Sequence, residues 1–194
     1  MARLIIVGGA SGTGKSFFLE NAQKIQSIIP IIKISTREPR GYEASPSCNF
    51  YDVVGGHTYD DVKKCDYTYP YSENYYGFNR KDVRTVLENG QNPIVIVKHF
   101  DMIKQLQTEY PEALSIYITS VLSGEDLAET LKNQGRSDIE INKRMERIYN
   151  DILDYSENIL ENMFDYFLIN RYDQSLLVQM NTVFNKELFL EEER

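Results

Sequence analysis

Short, uninterrupted apolar runs alternate with longer stretches of helical spacing along this chain. The runs are Leu4-Ile5-Ile6-Val7, Ile31-Ile32-Lys33-Ile34-Ser35, Ile94-Val95-Ile96-Val97, Leu114-Ser115-Ile116-Tyr117-Ile118 and the stretch from Tyr166 to Ile169. Apolar residues at consecutive positions predict strands buried on both faces, as in a parallel sheet. Between the runs the period changes. Phe18, Ala22, Ile25 and Ile29 lie at steps of four, three and four, which predicts one helix face ended by Pro30. Val83, Val86 and Leu87 predict a helix that Asn89-Gly90 terminates, and Ser123-Gly124-Glu125-Asp126 reads as a capped helix start with acids in its first turn. A long helix follows, with Ile141, Met145, Ile148, Ile152, Tyr155, Ile159 and Met163 on one face, and a last helix spans about residues 174–188. Strands alternating with helices predict an α/β fold, a parallel sheet with helices on both faces.

The first strand runs directly into Gly9-Ala10-Ser11-Gly12-Thr13-Gly14-Lys15-Ser16, which matches the phosphate-loop pattern G-x-x-x-x-G-K-S/T in its required place between strand and helix. Glycines let successive backbone N–H groups turn inward around an anion. The following helix adds its unpaired N-terminal donors and the positive end of its dipole. In such a loop Lys15 reaches the β- and γ-phosphates and the Ser16 hydroxyl holds Mg²⁺, so ATP with Mg²⁺ is the expected ligand.

The 194 residues fit one domain, and 42% hydrophobic content supplies a sizeable core. A formal net charge of -8 argues against a nucleic-acid surface, and no apolar run approaches bilayer length. A soluble cytoplasmic protein is expected. Cys48 and Cys65 make no disulfide framework, and with His57 between them they match no usual zinc spacing.

After the second predicted strand comes Ser35-Thr36-Arg37-Glu38-Pro39-Arg40, two arginines three apart around a stiffening proline, suited to bidentate capture of phosphate. Eight of the fourteen tyrosines (Tyr42, Tyr51, Tyr59, Tyr67, Tyr69, Tyr71, Tyr75 and Tyr76) crowd the segment that follows. They suit either a planar ligand or a small antiparallel sheet. The phosphate loop, the Thr36-Arg37-x-Pro39-Arg40 element, Asn74-Tyr75-Tyr76-Gly77, the Ile141-Asn142-Lys143-Arg144 helix and a late strand ending in Asn170 together resemble guanylate kinase, in order and spacing over nearly the whole chain. The resemblance implies a P-loop NTPase core (residues 1–34, 81–121 and 143–194), an acceptor-binding subdomain over about 35–80 and a lid over about 122–142. It implies ATP-dependent phosphoryl transfer to a nucleoside monophosphate, GMP first, with Thr36, Arg37, Arg40 and Tyr76 at the acceptor phosphate and Asn170 facing adenine.

The departures from the family pattern lie in base recognition. The family's guanine-reading Glu falls on Tyr67, and the small hydroxyl residue after Tyr-Gly is Phe78. Glu43 and Glu73 are alternative carboxylates. Lys98 stands where the family has an aspartate, either facing the acceptor or pairing locally, and Asp101 is a candidate for magnesium-bound water. Arg136, Arg144 and Arg147 sit at the predicted lid and its hinge, where arginines offset the charge of a transferred phosphoryl group. The Gly135-Arg136-Ser137 layout with Arg144 and Arg147 is also similar to ribose bisphosphate phosphokinases. Two alternatives therefore stand beside the nucleotide kinase: a kinase of another phosphorylated acceptor, and a non-catalytic interaction module. A homodimer is left open by the sequence.

Overall fold

The computed structural model describes residues 1–39, 52–121, 124–133, 138–159 and 163–189, without the side chains of residues 130, 131, 133, 140, 144, 147 and 152–159. Arg40, Glu43, Cys48 and Arg136 fall outside the described residues, as do the side chains of Arg144 and Arg147.

Five strands form a wholly parallel sheet: β1 (Ile5–Gly8), β2 (Ile28–Pro30), β7 (Asn92–Ile96), β8 (Leu114–Ser120) and β9 (Tyr166–Asn170), in the order β2-β7-β1-β8-β9. The central strand shows why its sequence is apolar throughout. Leu4 and Ile6 belong to one hydrophobic cluster and Ile5 and Val7 to another, on opposite faces. The same alternation places Val95 and Val97 on the first face and Ile94 and Ile96 on the second. Helices α1 (Lys15–Ala22) and α7 (Ser175–Phe184) cover the second face through Phe18, Leu19, Leu176, Met180 and Phe184, with Phe18 and Phe184 edge to face at 5.7 Å. Helix α4 (Phe100–Glu109) covers the first through Met102, Ile103 and Leu106.

A second sheet, of order β4-β3-β6-β5, is built from β3 (Lys33–Ser35), β4 (Val53–Val54), β5 (Tyr67–Tyr71) and β6 (Asn74–Phe78). The β5–β6 pair is an antiparallel hairpin whose turn carries Ser72 and Glu73 at positive φ. Its inward residues Tyr67, Tyr69 and Phe78 join the same cluster as α4, so this sheet shares the core of the parallel one. The remaining elements are α2 (Tyr59–Lys63), which opens with a capping box between Thr58 and Asp61, then α3 (Arg80–Glu88), α5 (Gly124–Asn133) and α6 (Asp138–Ile159). Leu127 of α5 packs with Ile141 and Ile148 of α6 in a small cluster of its own.

Several elements differ from the pattern-based reading. The first helix stops at Ala22, and two tight turns (Ile25 N to Ala22 O, Ile28 N to Ile25 O) lead into β2. Ile29, at helical spacing from Phe18, Ala22 and Ile25, instead pairs with β7 together with Ile28, adding an edge strand to the parallel sheet. The predicted strand 31–35 divides: Ile31 still donates to Ile94 of the parallel sheet, while residues 33–35 leave for the second sheet. Helix α4 carries Met102, Ile103 and Leu106 at helical spacing, a signal the reading of the apolar runs passed over. The last helix ends at Phe184 and continues as a π-helical turn, Asn185–Phe189.

Candidate active site

The carboxyl end of β1 delivers the chain to the phosphate loop, the end of a parallel sheet where ligands bind. Gly9 takes φ +136°, and a Cβ there would stand 2.3 Å from the Ile118 carbonyl oxygen of β8. Only glycine lets the loop cross the neighbouring strand this closely. Lys15 folds back over the loop: its Nζ donates to the Ala10 carbonyl and lies 3.4 Å from Thr13 Oγ1, and Thr13 Oγ1 in turn donates to Ala10 O at 3.0 Å. Asn170, at the end of β9, is buried behind the loop. Its amide donates to Thr13 O at 3.1 Å and its oxygen accepts from Tyr172 N at 2.8 Å. Tyr172 OH reaches Gly12 O at 2.5 Å. The side chains of β9 and its following turn thus hold the loop from behind.

The loop opens onto a cleft of about 290 Å³. Ser11, Gly12, Gly14, Lys15, Ser16 and Tyr172 line one side; Val53, Tyr69, Tyr71 and Tyr76 of the second sheet, with Arg37 just beyond β3, line the other; Lys33, Asp52, Ile96 and Lys98 are also among the lining residues. The loop's lysine and the first arginine of the Arg-x-Pro-Arg element therefore face one space. Thr36 does not line it. It ties the arginine loop to the hairpin, accepting from Tyr75 N at 3.0 Å and lying 3.4 Å from Asn74 Oδ1.

The crowded tyrosines divide between the two roles open to them. Tyr67 is fully buried against Phe78, ring centroids 4.9 Å apart, with its hydroxyl between Tyr110 OH and Arg80 Nε. Tyr59 and Tyr75 meet edge to face on the surface at 4.6 Å. Tyr69, Tyr71 and Tyr76 line the cleft, Tyr69 stacked on Tyr76 at 5.6 Å and 14°. Alternation separates Tyr75 from Tyr76 on β6, while Tyr67, Tyr69 and Tyr71 share one face of β5 and divide by their place along the strand.

Lys98 lines the cleft and pairs with an aromatic residue: its Nζ donates to Tyr71 OH at 2.9 Å and stands 4.3 Å from the ring centroid. Tyr71 OH donates to Asp151 of α6, 3.0 Å from Oδ1 and 2.8 Å from Oδ2, and Asp151 Oδ2 accepts from Ser11 N of the phosphate loop at 2.7 Å. One carboxylate thus joins the phosphate loop, the long helix and the second sheet. The role of Asp151 at the phosphate loop was not legible in sequence, since an acid on a helix rich in charge carries no signal of its own. Asp101, the expected magnesium candidate, lies on the exposed first turn of α4 and is not among the lining residues.

Lys33 was also missed. It is only 2% exposed, donates to Ile96 O at 2.8 Å and pairs with Asp52 Oδ2 at 3.3 Å. Burial pushes the Lys33 ammonium below its usual pKa, against the opposing effect of Asp52. The signal was present in the sequence: a lysine inside an apolar strand must have a partner.

A phosphate loop on a parallel sheet, facing across a cleft a second sheet whose first strand runs into Arg37, defines a P-loop kinase. The solved guanylate kinase from Anaplasma phagocytophilum has this fold, with a TM-score of 0.62 at 16% identity over 97% of this chain and 88% of its own. The guanylate kinase family model matches residues 1–187, and the chain belongs to the guanylate kinase family, making it a nucleotide kinase. Among curated relatives, the guanylate kinase of Xylella fastidiosa (strain 9a5c) is 26% identical over 186 residues, covering 93% of this chain and 86% of its own. That of Wigglesworthia glossinidia brevipalpis is 28% identical over 185 residues, covering 91% and 84%.

Proposed function

We propose that this chain transfers the γ-phosphoryl group of ATP to a nucleoside monophosphate, GMP in the first place. The observation that carries the reading is the shared cleft: Lys15 and Ser16 on one side, Arg37 and Tyr76 on the other. Phosphoryl transfer asks little covalent chemistry of the protein; it asks for in-line positioning in a site that excludes water. The amides of residues 9–16 cradle the donor phosphates, with Lys15 swinging from Ala10 O to the transferred group. Ser16 lines the cleft beside Lys15, a placement that fits a magnesium ligand, and the metal when bound neutralises charge between the β- and γ-phosphates. Arg37, Arg40 and Tyr76 hold the acceptor phosphate, with Thr36 fixing their loop. Arg136 and Arg144 come from the lid over residues 122–142 and its helix to offset charge during transfer, while residues 35–80 act as the acceptor-binding subdomain. Asn170 serves the adenine side by fixing the loop's outer edge through Thr13 and Tyr172.

Lys15→Ala tests this reading. ADP release with GMP and Mg·ATP should fall by about a thousandfold or more, the scale of losing a central charge stabiliser, with an unchanged circular dichroism spectrum. Turnover like that of the unmodified chain would remove the loop from the mechanism.

A further inference from the structure

The two positions where the family's guanine readers would stand do not reach the cleft. Tyr67 and Phe78 are turned into the core, the Tyr67 hydroxyl being engaged with Tyr110 and Arg80. The same cleft contains a charge pair that the phosphate chemistry does not need, the buried Lys33 with the half-buried Asp52. We propose that Lys33 and Asp52 read the base of the acceptor, and that their donor-beside-acceptor order selects guanine. This inference rests on the nucleotide-kinase reading above and names what sets its specificity.

The pair is fixed by strand pairing. Lys33 N donates to Asp52 O at 3.0 Å, and the β3–β4 register sets Lys33 opposite Val53. Burying an ammonium is costly, and an apolar residue of similar volume at Lys33 would serve the fold as well or better. An ammonium has three protons, and Ile96 O and Asp52 use two of them. Arg37 is close enough that its charge also depresses Lys33, so the pair and the phosphate-binding guanidinium share one neighbourhood. Tyr69 and Tyr71 line the same cleft, Tyr69 stacked on Tyr76 and Tyr71 beneath the Lys98 ammonium.

Guanine presents an acceptor, O6, beside the donors N1–H and N2–H₂. Adenine reverses the order, with an amino donor beside a bare N1. An ammonium facing O6 and a carboxylate facing N1–H and N2–H₂ are satisfied together by guanine. Adenine would set donor against donor and acceptor against acceptor, leaving buried polar groups unpaired. Inosine monophosphate keeps O6 and N1–H and lacks the amino group, so it isolates the carboxylate's share.

The experiment measures kcat/KM for GMP, IMP and AMP at saturating Mg·ATP, with equilibrium binding of the same three nucleotides measured alongside. The unmodified chain should prefer GMP to AMP by about a hundredfold or more. Asp52→Asn should reduce that ratio by at least about tenfold and bring GMP close to IMP. Lys33→Met should raise KM for GMP more than it lowers kcat, leaving KM for ATP unchanged. A purely structural role would lower all three acceptors equally and leave the ratios intact, and that result overturns the proposal. Should a single variant fail to fold because it strands the other charge, the double variant K33M/D52N removes both and carries the same ratio test. If the unmodified chain releases ADP with none of the three, the transfer reading fails. The binding ratios then decide base reading by themselves: tenfold loss of GMP preference in Asp52→Asn supports it, unchanged ratios refute it.

Discussion

Replacing Gly9 by alanine should be among the most damaging single-methyl changes in this chain, and its cost can be worked from the structure. The added Cβ would lie 2.3 Å from Ile118 O and 3.2 Å from Ile118 C, where ordinary contact begins at 3.4 Å. One of the two backbones must move by roughly 1 Å, a displacement of the kind that costs about 1–3 kcal/mol in a packed interior. Ile118 cannot yield readily, because it sits within β8 between β1 and β9, paired with Leu168. Alanine at φ +136° adds a further ~1–3 kcal/mol of backbone strain. The sum, about 2–6 kcal/mol, corresponds at its middle to roughly 10 °C in Tm for a chain of this size. Gly90 is the control. It also has positive φ (+73°), but nothing lies within 4 Å of its Cβ position, so Gly90→Ala should cost only ~1 kcal/mol, about 3 °C. Urea and thermal unfolding followed by circular dichroism measure both, and titration with Mg·ATP should show weakened binding for Gly9→Ala alone. Equal losses of stability in the two variants would refute the close-crossing argument.

Asp151→Asn keeps an oxygen for Ser11 N–H and removes a negative charge from the mouth of the phosphate loop. Mg·ATP should bind about fivefold to tenfold more tightly, the scale of one partly screened charge repulsion; calorimetric titration giving unchanged or weaker binding would contradict this. At acid pH, Glu109 and Glu187 should both contribute to unfolding. Hydrogen bonds from Arg80 hold Glu109 below the usual carboxylate range, and those from Tyr166 and Arg3 do the same for Glu187. A depressed carboxylate stabilises the fold above its unfolded value of about 4.3 and loses that contribution as pH falls through its folded value. Glu109→Gln should therefore flatten the decline of stability below about pH 4.3, and superimposable acid limbs for variant and parent would exclude Glu109 as a source.

The sequence by itself determined the features that depend on local geometry or on strict periodicity. A phosphate loop is a backbone conformation encoded by eight adjacent residues, so its chemistry was legible before any fold. The strands of the parallel sheet were legible because burial on both faces demands apolar residues at every position, as in β1, β7 and β8. Tertiary structure decided whatever depends on residues far apart in the chain. Ile29 became part of a strand because pairing with β7 overrides its helical spacing. Tyr67 went to the core and Tyr76 to the cleft although the hairpin register sets both on one face: Tyr67 lies opposite Phe78, whereas Tyr76 lies opposite Tyr69, two positions further along β5. Asp52 and Lys33, nineteen positions apart, and Asp151 and Ser11, 140 apart, became partners only when chain crossings brought them together. Hydrogen bonds and charge pairs act over a few ångströms, and linear spacing carries no information about which distant groups will come that close.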